Sequence, residues 1–109
     1  MELNSMVFPC SWKIVFLTVR PVTMQPYPAD TDVLITHCPP YGILDFDDGI
    51  NYGSTELLAR VEEIKPRLHL FDHIHKQHGV KKDGSTIFSN GAIMNGDYTN
   101  FNFPNLIEI

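Results

Sequence analysis

Three histidines, His37, His73 and His75, have the residue type and spacing for metal chemistry. His73 and His75 stand two apart within Leu68 to Gly79, after a short apolar run, and His37 follows a second short run, Asp32 to Thr36. On an extended backbone, side chains two residues apart point to the same side, so His73 and His75 are expected to share one side. Neutral imidazole is the commonest side-chain ligand of divalent transition metals. The pattern therefore predicts a metal site.

A strand, a helix and a second strand are predicted to bring these histidines together. Both apolar runs are short and rich in β-forming residues, which is typical of buried strands. Between them, Thr55 to Lys65 has one apolar stripe, with Ser54 suited to cap its start and Pro66 to stop it. Such a βαβ unit pairs its strands in parallel. Because parallel strands end at the same sheet edge, the three histidines are expected at one edge.

The remaining chain predicts further strands. The dipeptide Asp83-Gly84 between Val80 to Lys82 and Thr86 to Ser89 indicates a hairpin. Leu106 to Ile109 is expected to form a closing strand, and Trp12 to Val19 has the composition of a strand. The predicted fold class is α/β, a βαβ unit followed by antiparallel strands.

The residues around the histidines resemble the last two metal-binding motifs of the calcineurin-like metallophosphoesterases. Thr36-His37-Cys38-Pro39-Pro40 matches the pattern T/G-H-x-P-P, and Asp72-His73-Ile74-His75 matches G-H-x-H except at its first position. The resemblance is nearest to the branch of metallophosphoesterase domain-containing proteins. It implies that residues 25–109 are the C-terminal part of a metallophosphoesterase β-sandwich flanked by helices, and that residues 1–24 are an unassigned segment.

The same resemblance implies a metal-dependent phosphoesterase that hydrolyses phosphomonoesters or phosphodiesters of small molecules. In the family, the histidines that match His37 and His73 bind one ion and the one that matches His75 binds the other, and Asn90 is expected near the site. The implied cofactors are divalent ions, Mn, Fe, Zn or Ni, in a dinuclear centre. The catalytic residues stay unknown, and no cofactor-binding site other than these metal ligands is expected.

The sequence also departs from the family pattern. The motifs D-x-H, G-D-x-x-D and G-N-H-E, which supply most metal ligands including a bridging aspartate, do not occur in Met1 to Asp32. Asp72 and Cys38 stand where the family often has glycine, and the Asp72 carboxylate is either a substitute ligand or a charge that repels an anionic substrate. The competing hypothesis is a non-catalytic truncated fragment or binding module that keeps the half-fold. An uncovered sheet would then favour self-association.

The other polar residues near the motifs have simpler interpretations. His69 lies on the strand face opposite its two leucine neighbours and is interpreted as a satisfied, partly buried residue. His78 is interpreted as a solvated loop residue, with contact to a bound phosphate as the alternative. The long loop Cys38 to Gly53 shows no regular period, and its carboxylates are interpreted as solvated charges rather than metal ligands: Asp45, Asp47 and Asp48.

Composition narrows the class of protein. The 109 residues are enough for one domain or less, and 43% hydrophobic with 19% charged residues is typical of a folded chain. Eight Lys and Arg against thirteen Asp and Glu argue against a nucleic-acid partner. Cys10 and Cys38 are too few for a disulfide framework, and the apolar run Ile14 to Val19 is too short to span a membrane. The sequence therefore predicts a cytoplasmic protein with no membrane partner.

Overall fold

One mixed sheet of five strands carries the candidate site at the carboxyl ends of two inner parallel strands. The computed structural model describes residues 14–17 and 29–108. In chain order the elements are β1 (Ile14–Leu17), β2 (Val33–Thr36), β3 (Phe46–Asp47), β4 (Ile50–Asn51), α1 (Thr55–Ile64), β5 (Leu68–Phe71), β6 (Gly79–Asp83) and β7 (Thr86–Asn90). The sheet order is β1-β2-β5-β7-β6, with β6 and β7 antiparallel and the other neighbours parallel. The predicted α/β class and the parallel pairing of β2 with β5 are confirmed.

Local signals set the bounds of α1. The Ser54 side chain accepts a hydrogen bond from the Leu57 N–H at 3.1 Å, which satisfies one of the free donors of the first turn. At the other end Lys65 adopts a left-handed conformation, and its N–H donates to the Val61 carbonyl at 2.8 Å. Pro66 follows and cannot extend the helix. The predicted helix is thus confirmed, one residue shorter at its end.

Apolar side chains cover both faces of the central strands. The face towards α1 packs one buried cluster, Leu34, Ile43, Leu57, Val61, Phe71 and Phe88. The opposite face packs a second cluster, Val33, Leu68 and Leu70, with Ile35, Ile87 and Ile107 partly buried against it. Strands buried on both faces are typical of parallel sheets, so β2 and β5 form the rigid base of the candidate site.

The loop between β2 and α1 contains a small hairpin. Strands β3 and β4 pair antiparallel over two residues each, so the expectation of a patternless loop is wrong at this point, because strands this short have no detectable period. The Asp45 carboxylate accepts hydrogen bonds from the N–H groups of Gly42 at 2.9 Å and Gly53 at 2.8 Å. A Cβ at residue 53 would collide with the Pro40 backbone, so glycine is required for this close approach.

The end of the chain differs from the sequence prediction. The β6–β7 hairpin is confirmed, but residues 102–108 form no strand, so the predicted closing strand is wrong over its described part. Instead the Asn105 side chain donates to the carbonyls of Gly79 and Asn90, at 3.2 and 2.9 Å, which attaches the segment through a side chain.

The other end of the chain is described only in part. Of the predicted strand Trp12 to Val19, β1 confirms residues 14–17, and the rest lies outside the described residues, as does most of the unassigned segment 1–24. No helix in residues 29–108 is long and apolar enough to cross a membrane.

Candidate metal site

The parallel pairing of β2 and β5 brings His37 and His73 together. Each follows the carboxyl end of its strand, and the Asp72 N–H donates to the His37 carbonyl at 3.2 Å just beyond the strands. The two imidazole ring centroids lie 4.9 Å apart. Two residues distant in sequence thus share one small region of the sheet edge, as the βαβ unit predicts.

Asp72 fixes the orientation of the His37 ring. Its Oδ1 lies 3.2 Å from His37 Nδ1, with the two side chains 54% and 46% exposed. A carboxylate only accepts hydrogen bonds, so this contact places a proton on Nδ1 and leaves Nε2 as the nitrogen that can offer a lone pair. Metal-binding histidines commonly donate their second N–H to a carboxylate or carbonyl in this way. The geometry therefore leaves His37 Nε2 available as a ligand.

His73 adopts a strained backbone conformation. Strand β5 ends at Phe71, His73 has φ of 80°, and the Ile74 N–H donates to the Asp72 carbonyl at 3.0 Å. A hydrogen bond over two residues around a positive φ defines the rare and strained form of γ-turn. The expectation of an extended backbone from His73 to His75 is therefore wrong, because this turn redirects the chain.

His75 lies against a different part of the chain. It opens a short 3₁₀ helix, His75–Gln77, and its Nδ1 is 3.1 Å from the carbonyl oxygen of Met94. The carbonyl can only accept, so Nδ1 carries the proton and Nε2 is again the free lone pair. The His75 ring packs on the Tyr98 ring at a centroid distance of 4.8 Å. The His73 ring lies instead beside the ring of His37.

A side-chain hydrogen bond from Asn90 supports the backbone of the His73–His75 segment. It is fully buried, and its Nδ2 donates to the carbonyls of Ile74 at 2.9 Å and Leu44 at 3.2 Å. Its Oδ1 accepts from the Ala92 N–H at 3.0 Å, so its donors and its acceptor are all engaged. Sequence reasoning placed Asn90 near the site, but its link to Ile74 depends on strand register, which no local pattern reveals.

The remaining histidines differ in burial. His69 is completely buried rather than partly buried, and burial lowers its pKa to about 3. Its Nε2 lies 2.9 Å from Thr36 Oγ1. His78 is half-buried; burial lowers its pKa, and a hydrogen bond with the Phe103 backbone opposes that effect. Its contact with a bound phosphate stays an alternative.

The loop carboxylates do not gather into a cluster. The interpretation of Asp45 as a solvated charge is wrong, because this side chain is only 1% exposed. Two backbone N–H groups of its own loop donate hydrogen bonds to the carboxylate in place of water. Asp47 forms an ion pair with Lys76 at 3.1 Å. Burial, followed by the charge of Asp72, raises the pKa of the Cys38 thiol, which keeps it protonated and a poor ligand at neutral pH.

The donor set fits part of a metal centre. In residues 29–108 no group of three or more His, Cys, Asp or Glu side chains could by itself hold a metal ion. His37 and His75 nevertheless have their Nδ1 protons engaged, so that both Nε2 lone pairs are free, and His37 adjoins His73. This chemistry suits imidazole ligation, with fewer converging ligands than a complete protein zinc site uses.

A parallel strand pair with two imidazoles at its carboxyl edge places the chain in the α/β class, with candidate metal ligands at the usual position of ligand sites in such sheets. Comparison with known proteins extends this class to a family. Over 85 residues the chain is 40% identical to metallophosphoesterase domain-containing protein 1 of Homo sapiens, a match that covers 75% of this chain and 26% of the relative. It is 50% identical over 68 residues to a UPF0046 protein of Caenorhabditis elegans, covering 62% of this chain and 23% of that protein.

Over its aligned part the chain is similar to the metallophosphoesterase domain-containing proteins, and the resemblance seen in its motifs is confirmed. The chain spans about a quarter of the length of the curated relatives it matches. No family model matches it.

Proposed function

We propose that this chain forms the C-terminal part of a metal-dependent phosphoesterase domain that acts on phosphomonoesters or phosphodiesters, with His37, His73 and His75 as metal ligands. The observation that carries the proposal is the approach of the His37 and His73 rings to 4.9 Å at the carboxyl edge of β2 and β5. The name and similarity of the relatives support the phosphoesterase class. By the same resemblance the domain is a β-sandwich flanked by helices.

A bound divalent ion, Mn, Fe, Zn or Ni, would polarise a phosphoryl oxygen and lower the pKa of bound water. The residues of this chain hold and orient the imidazoles that would bind it. Asp72 keeps the proton of His37 on Nδ1, and the Met94 carbonyl does the same for His75, so each ring presents Nε2. The γ-turn at His73 turns the backbone away from the direction of β5 just before His75.

The competing proposal is a non-catalytic fragment or binding module. It is favoured by the ligand count, because no group of three candidate ligands converges within residues 29–108. Three imidazoles divided between two ions would hold neither tightly. Under this proposal the chain keeps a weak metal site and lacks hydrolytic activity.

Metal binding by the isolated full chain tests the site. We expect weak binding of about one Zn²⁺ per chain by calorimetry, because structural zinc sites use four protein ligands and this set offers fewer. His37→Ala and His73→Ala should remove that binding. His78→Ala is the matched control and should leave it intact. Affinity that is unchanged by both site substitutions would overturn the assignment of the ligands.

Hydrolysis of p-nitrophenyl phosphate and cyclic-nucleotide phosphoesters with Mn²⁺ separates the two proposals. Uncatalysed phosphate-ester hydrolysis is among the slowest reactions known, so an incomplete centre should give no turnover above background. The N-terminal half of a relative, added in trans, should then restore activity that depends on His73. Turnover by the chain alone that His73→Ala abolishes would contradict the non-catalytic proposal.

A further inference from the structure

Beneath the turn that carries His37, hydrogen bonds connect His69 through the Thr36 hydroxyl to the Cys38 carbonyl. This connection is called the polar link. His69 is completely buried on the α1 face of the sheet, where its ring packs against Phe71 at a centroid distance of 5.1 Å and Phe88 at 5.7 Å. Its Nε2 lies 2.9 Å from the hydroxyl oxygen of Thr36, the last residue of β2. The buried α1 face of the sheet thus contains an imidazole that reaches the end of the neighbouring strand.

The direction of each hydrogen bond in this link is fixed by chemistry. The Thr36 hydroxyl donates to the Cys38 carbonyl at 2.8 Å, since a carbonyl oxygen can only accept. The single hydroxyl proton is then used, so Thr36 Oγ1 must accept its second bond from a protonated His69 Nε2. The chain of donors therefore runs from His69 through Thr36 to the backbone of Cys38.

Packing alone does not explain an imidazole at this position. His69 Nδ1 is buried and has no hydrogen-bond partner among the described residues. A buried acceptor without a partner destabilises the fold, and a leucine side chain would fill the space between the two phenylalanines without that cost. The polar link itself is what the imidazole provides.

The turn after His37 is supported beyond Cys38, where the Pro39 carbonyl accepts a hydrogen bond from the Ser54 N–H at 3.1 Å. Pro39 and Pro40 follow it and have no N–H with which to continue the sheet. On the other side, the His37 carbonyl accepts one bond from the Asp72 N–H at 3.2 Å. The Thr36 hydroxyl supplies the hydrogen bond that fixes the Cys38 carbonyl.

We propose that His69 is a positioning residue that acts through Thr36 on the His37–Cys38 turn and thereby sets the place of the His37 imidazole. In its consequence for metal binding this inference rests on the proposed function. His69 itself touches neither metal nor substrate.

The test compares variants of the full chain that break or keep the link. His69→Leu removes the donor, Thr36→Val removes the hydroxyl with little change of shape, and Thr36→Ser restores the hydroxyl. Phe88→Leu is the control, because it perturbs the same core beside His69 and leaves the link intact. Each protein is measured for thermal midpoint, Zn²⁺ affinity and the imidazole ¹H–¹⁵N spectrum without metal, at about pH 8 where ordinary histidines are neutral.

We expect His37 to show one tautomer, with the proton on Nδ1, in the native chain, in Thr36→Ser and in Phe88→Leu. In His69→Leu and Thr36→Val the two tautomers should mix, and Zn²⁺ affinity should fall about tenfold, the low end of the effect of losing an orienting partner. His69→Leu should keep or raise the thermal midpoint, whereas Phe88→Leu should lower it. A purely structural role would make affinity follow stability across the whole set.

Unchanged His37 tautomers in both link-breaking variants would overturn the inference, and so would a mixture in Phe88→Leu equal to theirs. Failure of the proposed function gives a different result. In that case the native chain binds no Zn²⁺, while the metal-free imidazole spectra still decide whether His69 positions His37.

Discussion

The strain at His73 is maintained by a buried amide. A non-glycine residue in a γ-turn with positive φ is unfavourable by about 1–3 kcal/mol and persists only where its surroundings hold it. Asn90 Nδ2 donates to the carbonyl of Ile74, the residue that closes the turn, and anchors Leu44 as well. The candidate ligand therefore depends on a residue of β7 that does not belong to either motif.

Replacing Asn90 with alanine should disturb both stability and the site. The change leaves the Ile74 and Leu44 carbonyls without their donor, and each buried group without a partner costs about 1–3 kcal/mol. We expect a loss of at least about 2 kcal/mol in urea denaturation, with weaker Zn²⁺ binding in the fraction that stays folded. The control Asn100→Ala, at an exposed position, should change stability by about 0.5 kcal/mol or less.

Asp72 acts on His37 where the family often has glycine. Its Oδ1 is engaged with His37 Nδ1, which favours an orienting role over repulsion of substrate. We expect Asp72→Gly to release the His37 ring and to lower Zn²⁺ affinity about tenfold in calorimetry, while Asp72→Asn, which keeps an acceptor oxygen, loses less. A higher affinity in Asp72→Gly would show that the bulk of Asp72 blocks the site instead.

At the scale of elements, local signals predicted some strands and tertiary contacts decided the rest. Ser54, the apolar stripe of α1 and the Asp83-Gly84 turn act over a few residues, so the helix and the β6–β7 hairpin could be predicted. Strands of two residues have no detectable period, so β3 and β4 could not be predicted from the sequence. The turn at His73 depends on Asn90, distant in sequence, so the site histidines were predicted but the path of their backbone was not.

The cap of α1 gives a quantitative check at this scale. Ser54→Ala removes the acceptor for the Leu57 N–H, and losses of this kind cost about 0.5–2 kcal/mol. Because Leu57 and Val61 pack α1 onto the sheet, the loss should appear in global unfolding by urea rather than in local fraying. Ser54→Asp should retain most of the stability, and Ser85→Ala, in the exposed hairpin turn, serves as control. Equal stability of Ser54→Ala and native chain would contradict the role of the cap.

For the whole molecule, His69 should make stability depend on pH. Burial lowers its pKa from 6.5 to about 3, so the unfolded chain binds one more proton than the folded chain between these values. The free energy of unfolding is therefore not reduced by protonation of His69 above pH 6.5, and it falls as the pH falls from 6.5 towards 3. The expected slope is about 1.4 kcal/mol per pH unit within that window. Urea denaturation of native chain and His69→Leu at each pH isolates the effect, since other titrating groups cancel in the difference; identical pH profiles would contradict it.

The apolar surface of the described chain lies mainly outside the sheet. Both faces of the central strands are buried, and the outer strand β6 bears Lys81, Lys82 and Asp83, charges that discourage edge pairing. By contrast the segment 93–106 exposes several large side chains: Ile93, Tyr98, Phe101, Phe103 and Leu106. Of these, Phe103 is 87% and Leu106 88% exposed. Self-association, expected from the sequence through an uncovered sheet, is therefore expected through this C-terminal apolar segment.

Sedimentation of the full chain across about a hundredfold range of concentration tests this expectation, because association follows mass action. We expect the average mass to rise with concentration. The double substitution Phe103→Ser with Leu106→Ser should reduce the rise without lowering the thermal midpoint, because both side chains are already in solvent. Val80→Ser, on strand β6, is the control for pairing at the sheet edge. A larger effect of Val80→Ser would place the contact at the edge, and a monomer at every concentration would show that the exposed segment does not bind a second copy.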